Sequence, residues 1–158
     1  MKGNPSLYVP TYSVNVELLL CDGSTVQGML FLPIISDSHM SLLKFLNSHE
    51  QFLPFCEKDI PNTQLINKDL VVCTTCERDL PALERNLDQT SPHEQISVEI
   101  MNNKQNLILT GNVTLVSKEN ARVLDFLNQP GQFFSIIKGE TEINVNKRYV
   151  IRVKEALD

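Results

Sequence analysis

The chain carries one phrase twice, and that repetition constrains its folding more than any single motif. SLLKFLNSHEQFLPF runs from Ser41 to Phe55, and RVLDFLNQPGQFFSI runs from Arg122 to Ile136. In each, a short apolar segment ends in Phe-Leu-Asn and is followed by Gln-Phe. The correspondence extends in both directions. VELLLCDGSTVQGMLFL (Val16–Leu32) lies over VEIMNNKQNLILTGNVTLV (Val98–Val116), and LINKDLVV (Leu65–Val72) lies over NVNKRYVI (Asn144–Ile151). Four blocks in the same order imply an internal duplication. Whatever fold is adopted must therefore be buildable twice, from units of roughly 65–70 residues each.

The blocks read as strands and turns. Val14, Val16 and Leu18 alternate with polar neighbours, as a strand buried on one face requires. Asp22-Gly23 predicts a tight primed hairpin turn, with Asn102-Asn103 in the corresponding place. Gly28 and Gly111 fall inside the return strands, where glycine marks a bulge or sharp bend. Asn67-Lys68 and Asn146-Lys147 predict turns ahead of a closing strand that runs through Leu70, Val71 and Val72 in one copy and Tyr149, Val150 and Ile151 in the other.

The Phe-Leu-Asn blocks have helical spacing: Leu42, Phe45 and Leu46, and again Val123, Phe126 and Leu127, with Lys44 and Asp125 on the opposite face. Asn47 and Asn128 suit a left-handed C-terminal position. A bulged strand is the competing reading of this segment. The expected fold is mainly β with short helices: two tandem, duplicated, small β-barrel-like lobes of four or five strands, each with one short helix. The first lobe spans residues 1–76 and the second 95–158. A polar connector, 77–94, carries Leu80, Leu83 and Leu87 at helical spacing.

The 158 residues have a net charge of −5, unevenly spread. The first 80 hold five Lys/Arg and nine Asp/Glu, whereas residues 95–158 hold eight and seven. General polyanion binding needs many basic contacts, so this balance disfavours it. No segment approaches the roughly 20 apolar residues of a membrane span, and the N-terminal residues lack the apolar core of a secretory signal. The expected location is the cytoplasm, with the four cysteines reduced.

The combined pattern resembles an uncharacterised family of bacterial domains of the form V-x-V-x-L-x-D-G-x-x-x-x-G-x-x-F-L-P, then L-x-x-L-N, F-L-P and L-I-N-K-x-x-I-x-x-V. The first copy matches through Asp22-Gly23, Gly28, Phe31-Leu32-Pro33, Phe52-Leu53-Pro54 and Leu65-Ile66-Asn67-Lys68. The second lacks Asp-Gly and Phe-Leu-Pro but keeps Arg122, Asp125, Asn128, Asn146 and Lys147. The resemblance implies no particular activity. A more distant likeness is to Sm-like barrels. Asn-Lys stands here where that family carries Arg-Gly, so RNA binding is not carried over.

Chemistry-bearing residues are sparse. Cys73-Thr-Thr-Cys76 can form two corners of a tetrahedral zinc site or a redox dithiol; the simpler reading makes these cysteines small buried apolar side chains. Lys147, Arg148, Arg152 and Lys154 form a basic stripe, with Arg148, Arg152 and Lys154 on one strand face opposite Tyr149, Ile151 and Val153. The stripe is either a solvated face, a grip for phosphates, or a partner for the acidic first lobe of a neighbouring copy. Asp125 is a further candidate ligand-holding residue. His39, His49 and His93 are isolated, Ser24 lacks the context of a nucleophile elbow, and Glu17 and Glu99 are expected to face solvent. These features predict no catalytic constellation and no cofactor. They point to a non-enzymatic binding or assembly module that pairs with a protein partner or with itself through open sheet edges. Nucleic-acid or polyanion binding through the second lobe is the alternative.

Overall fold

A computed structural model describes residues 10–35, 38–78, 92–103, 105–115 and 122–156. The predicted helical turns around Leu80, Leu83 and Leu87 lie outside the described residues. The chain is mainly β. The elements of the first half are β1 (Thr11–Leu20), β2 (Thr25–Ile35), β3 (Ser38–His39), α1 (Leu42–Leu46), β4 (Phe52–Glu57), β5 (Thr63–Asn67) and β6 (Val71–Glu77). Those of the second are β7 (His93–Ile100), β8 (Leu107–Thr114), α2 (Val123–Leu127), β9 (Phe133–Lys138), β10 (Thr141–Asn146) and β11 (Val150–Glu155).

Ten strands form one open antiparallel sheet in the order β11-β7-β8-β9-β10-β6-β1-β2-β4-β5, and the short β3 pairs with β2. The order β6-β1-β2-β4-β5 on one side of the β10–β6 contact recurs on the other as β11-β7-β8-β9-β10. Among the described residues β5 does not pair with β6, nor β10 with β11, so neither half closes by hydrogen bonding. Two apolar clusters result. One gathers Val16, Leu18, Leu30, Phe45, Leu46 and Phe55; the other gathers Ile96, Val98, Val113, Ile136, Ile143 and Val145.

Local chemistry explains the joints. At the first hairpin Gly23 takes φ +86, and the Asp22 carboxylate accepts from the Ser24 N–H (2.9 Å) and hydroxyl (2.6 Å). Asp22 itself does not adopt positive φ, so this is a side-chain-stapled turn rather than the primed turn predicted. The Phe-Leu-Asn segments are single helical turns. Ser41 caps α1 by accepting from the Lys44 N–H at 3.2 Å. Asn47 and Asn128 do not take the predicted left-handed geometry; their φ values are −91 and −87.

The predicted closing strands begin later than expected. Lys68–Leu70 and Lys147–Tyr149 are 3₁₀ turns, in which Asn67 and Asn146 accept from the N–H groups of Asp69 and Arg148, each at 3.1 Å. Leu70 and Tyr149 thus belong to turns. Lys68 and Lys147 donate from Nζ to Ser48 O (2.7 Å) and Gln129 O (2.6 Å), carbonyls left without a helical partner just past α1 and α2. Burial lowers the pKa of both lysines.

The two predicted glycine bends are sites of close approach. A Cβ on Gly28 would lie 2.2 Å from Cys56 O, and one on Gly111 would lie 2.4 Å from Ile136 Cγ2. Each lets one strand run tightly over the next. Gly28→Ala is expected to destabilise the chain by about 1–3 kcal/mol, the usual cost of overpacking, seen as a lower thermal midpoint. An unchanged midpoint would show that β2 and β4 do not approach so closely.

Candidate functional site

The two halves meet along a seam in which β6 pairs antiparallel with β10, Thr141 opposite Glu77 through Val145 opposite Cys73. At its centre Asn144 and Thr74 are both fully buried, and Asn144 Nδ2 donates to Thr74 Oγ1 at 3.1 Å. Asn146 Nδ2 donates to Val71 O at 2.9 Å, and Tyr149 donates its hydroxyl to Asp69 O at 2.6 Å. Gln132 Nε2 donates to the Asp69 carboxylate at 2.9 Å. The amides of Gln132 and then Gln51 hold that carboxyl below its usual pKa.

The most complete contact lies at the end of α1. The Asn47 side chain donates to Phe133 O (3.0 Å) and accepts from Phe133 N–H (2.8 Å), clamping both backbone groups of one residue in the other half. Phe133 packs into the first cluster. In return Val72 and Cys73 of β6 pack into the second. Burying a side chain such as Phe133 contributes roughly 1.5–3 kcal/mol, so the exchange ties the two cores into one cooperative contact.

The sheet ends at β5 and β11, and among the described residues no strand pairs with the outer side of either. Exposed apolar groups stand on or beside these edges. Leu65 on β5 is 69% exposed, Phe52 at the start of β4 is 52% exposed, and Ile151 on β11 is 41% exposed. The residues that the sequence blocks align with them, Asn144, Phe133 and Val72, are all at least 98% buried in the seam.

The basic stripe does not form as predicted. Arg148 lies in the 3₁₀ turn ahead of β11. A register irregularity between Val150 and Arg152 then changes which residues face inward. Val150 and Val153 pack on the second cluster, while Ile151 is exposed rather than opposite the charges. Arg152 Nε meets Glu99 Oε2 at 2.6 Å, so Glu99 is half-buried and paired rather than solvated. Lys147 is engaged with Gln129 O. Arg148 and Lys154 are exposed. Asp125 accepts two bonds of 2.8 Å from Arg122, which lower its pKa; the two form an exposed pair.

Cys73 and Cys76 lie within β6, where residues three apart face opposite sides. Cys73 packs with the second cluster and Cys76 with the first. The pair is therefore not the loop that a C-x-x-C zinc corner or dithiol requires. Burial, with Glu17 nearby for Cys73 and Glu142 for Cys76, pushes both thiols up to about 12. A cavity of about 930 Å³ in the first half is lined by Glu17, Gly28, Glu57, Asp59, Cys76 and neighbours. Its one buried thiol is protonated at neutral pH and no nucleophile.

No group of three or more potential metal ligands occurs among the described residues, and no helix there is long and apolar enough to cross a membrane. No family model, curated protein or solved structure matches the chain. The edge and seam geometry was not readable from motifs. Its signal was present in the aligned sequence blocks, which differ in polarity at Leu65 and Asn144 and at Arg152 and Cys73.

Two outcomes follow from this geometry. Asn47→Ala removes both clamps on Phe133 and is expected to cost about 1–3 kcal/mol in denaturant unfolding; an unchanged midpoint would mean that the clamp contributes nothing. The raised thiols mean that the unfolded chain ionises first on the alkaline side. The stability associated with Cys73 and Cys76 is full below pH 9 and falls as the pH rises towards about 12. Native protein at pH 8 should leave both unlabelled by iodoacetamide, with labelling only on unfolding.

Proposed function

We propose that the chain is a tandem duplication of one small, bent, barrel-like unit and that it works as a non-enzymatic assembly module, binding a protein partner by strand addition at its sheet edges. One observation carries this reading: the repeat buries a set of edge positions once, at the seam, and leaves the corresponding set on β5 and β11 uncovered and apolar. Edge strands offer ready backbone donors and acceptors to a partner. Natural sheets usually blunt such edges with charge or proline, yet Leu65 stands at the middle of β5.

The polyanion alternative has less support. Two of its four cations, Lys147 and Arg152, already have partners within the chain. Arg148 and Lys154 remain, and two cations supply little counterion release. Titration of labelled RNA at low salt is expected to show no binding. Salt-sensitive binding lost in an Arg148→Ala, Lys154→Ala variant would replace the present reading.

A photo-crosslinking residue placed at Leu65 or Ile151 in cells is expected to give protein adducts. The same residue at Thr110, exposed in the interior strand β8, is expected to give none. Absence of adducts at both edges would overturn the module reading.

A further inference from the structure

We propose that the partner is a second copy of this chain, joined head to tail: β11 of one copy pairs antiparallel with β5 of the next, in the register of the β10–β6 seam. This rests on the edge-binding reading above and specifies its partner, polarity and residues.

The register transfers directly. β5 corresponds to β10 through Asn67 and Asn146, and β11 to β6 through Lys147 and Lys68. The seam pairs Glu142 with Cys76, Asn144 with Thr74 and Val145 with Cys73. The same register between copies sets Thr63 opposite Glu155, Leu65 opposite Val153 and Ile66 opposite Arg152.

The backbone groups point the right way. Ala156 donates inward to Gln95 O (3.0 Å), so with a period of two Val153 and Glu155 turn their N–H and C=O groups outward. Lys68 donates inward to Gln51 O (2.9 Å), so Leu65 and Thr63 turn theirs outward as well. These are the groups that form hydrogen-bonded pairs in an antiparallel ladder. In the seam the equivalent inward bond is Lys147 N–H to Gln132 O (2.8 Å), which leaves Asn144 facing Thr74.

The clamp is also present in duplicate. Asn128 ends α2 as Asn47 ends α1, and its side chain is exposed. Phe52, which corresponds to Phe133, stands uncovered at the opposite end of the sheet. In the next joint Asn128 of one copy holds the backbone of Phe52 in the other. Glu50 replaces Gly131 here, and a Cβ at Gly131 would lie 3.0 Å from the Asn47 amide. Asn128 therefore settles a few tenths of an ångström further out.

Charge complementarity favours a copy over an unrelated strand. The β11 end presents Arg148 and Lys154 with one carboxylate, Glu155, and the β5 end belongs to the acidic half, with Glu50, Glu57 and Asp59 against Lys58. Arg148 takes the place of Asp69 and meets Gln51, which takes the place of Gln132. The edges differ, so the contact is heterologous, and it pairs every strand if the copies close into a ring.

Light scattering on the full chain is expected to give at least twice 17.9 kDa. Leu65→Lys disables the β5 edge, and Asn128→Ala with Glu155→Pro disables the β11 edge without touching an inward N–H. Each variant alone should be monomeric with an unchanged circular dichroism spectrum, and an equimolar mixture should form a one-to-one dimer through the two intact edges. A monomeric wild type, or a single-edge variant that still self-associates, would overturn the proposal. As a second measurement, Thr63→Cys in one chain and Glu155→Cys in another should oxidise to a linked dimer that Thr63→Cys alone does not form; no such link overturns the register. Edge crosslinks to a different protein alongside a monomeric wild type would leave the module reading standing and remove this inference.

Discussion

The rest of the structure depends on the seam between β6 and β10, and the seam depends on Asn47. An exposed pair of backbone groups at Phe133 would leave the start of β9 loose. The two bonds from Asn47 fix it and seat the Phe133 ring in the other half's core. Across the same line Val72 moves the opposite way. Neither apolar cluster is complete without a side chain from the other half, so the two small cores behave as one.

At the centre of this exchange sits a polar pair, Asn144 and Thr74, with Asn144 Oδ1 unpartnered. A buried polar group costs free energy unless it is bonded, and so it penalises any other alignment of the strands. Leu65 and Val153, which correspond to that pair, are apolar. The inner joint is thus marked by a hydrogen bond, and the outer edges by area that water solvates poorly.

Much of this was legible beforehand. The strand-rich class, the short helices through Phe45 and Phe126, and the turns at Asn67 and Asn146 follow from spacing and residue type alone. What was illegible depended on neighbours distant in sequence. Ile151 looked like a core residue because alternation along β11 was assumed unbroken; the irregularity at Val150 reversed it. Arg152 looked free until Glu99, on the adjacent strand, came within 2.6 Å. Cys73 and Cys76 are the small buried side chains of the simpler reading, although a C-x-x-C motif by itself does not declare whether its backbone is turned or extended. Asn47 read only as a helix terminator, since its partner lies 86 residues away.

The sequence by itself determined the local elements, because period, turn chemistry and glycine placement act over a few residues. Only the tertiary structure decided which edges are covered. Two halves paired through β6 and β10 cover one pair of edges between them, and the other pair, β5 and β11, is left at the ends. That asymmetry arises from joining the two halves in a line, which the polarity differences between aligned residues such as Leu65 and Asn144 accompany but do not dictate.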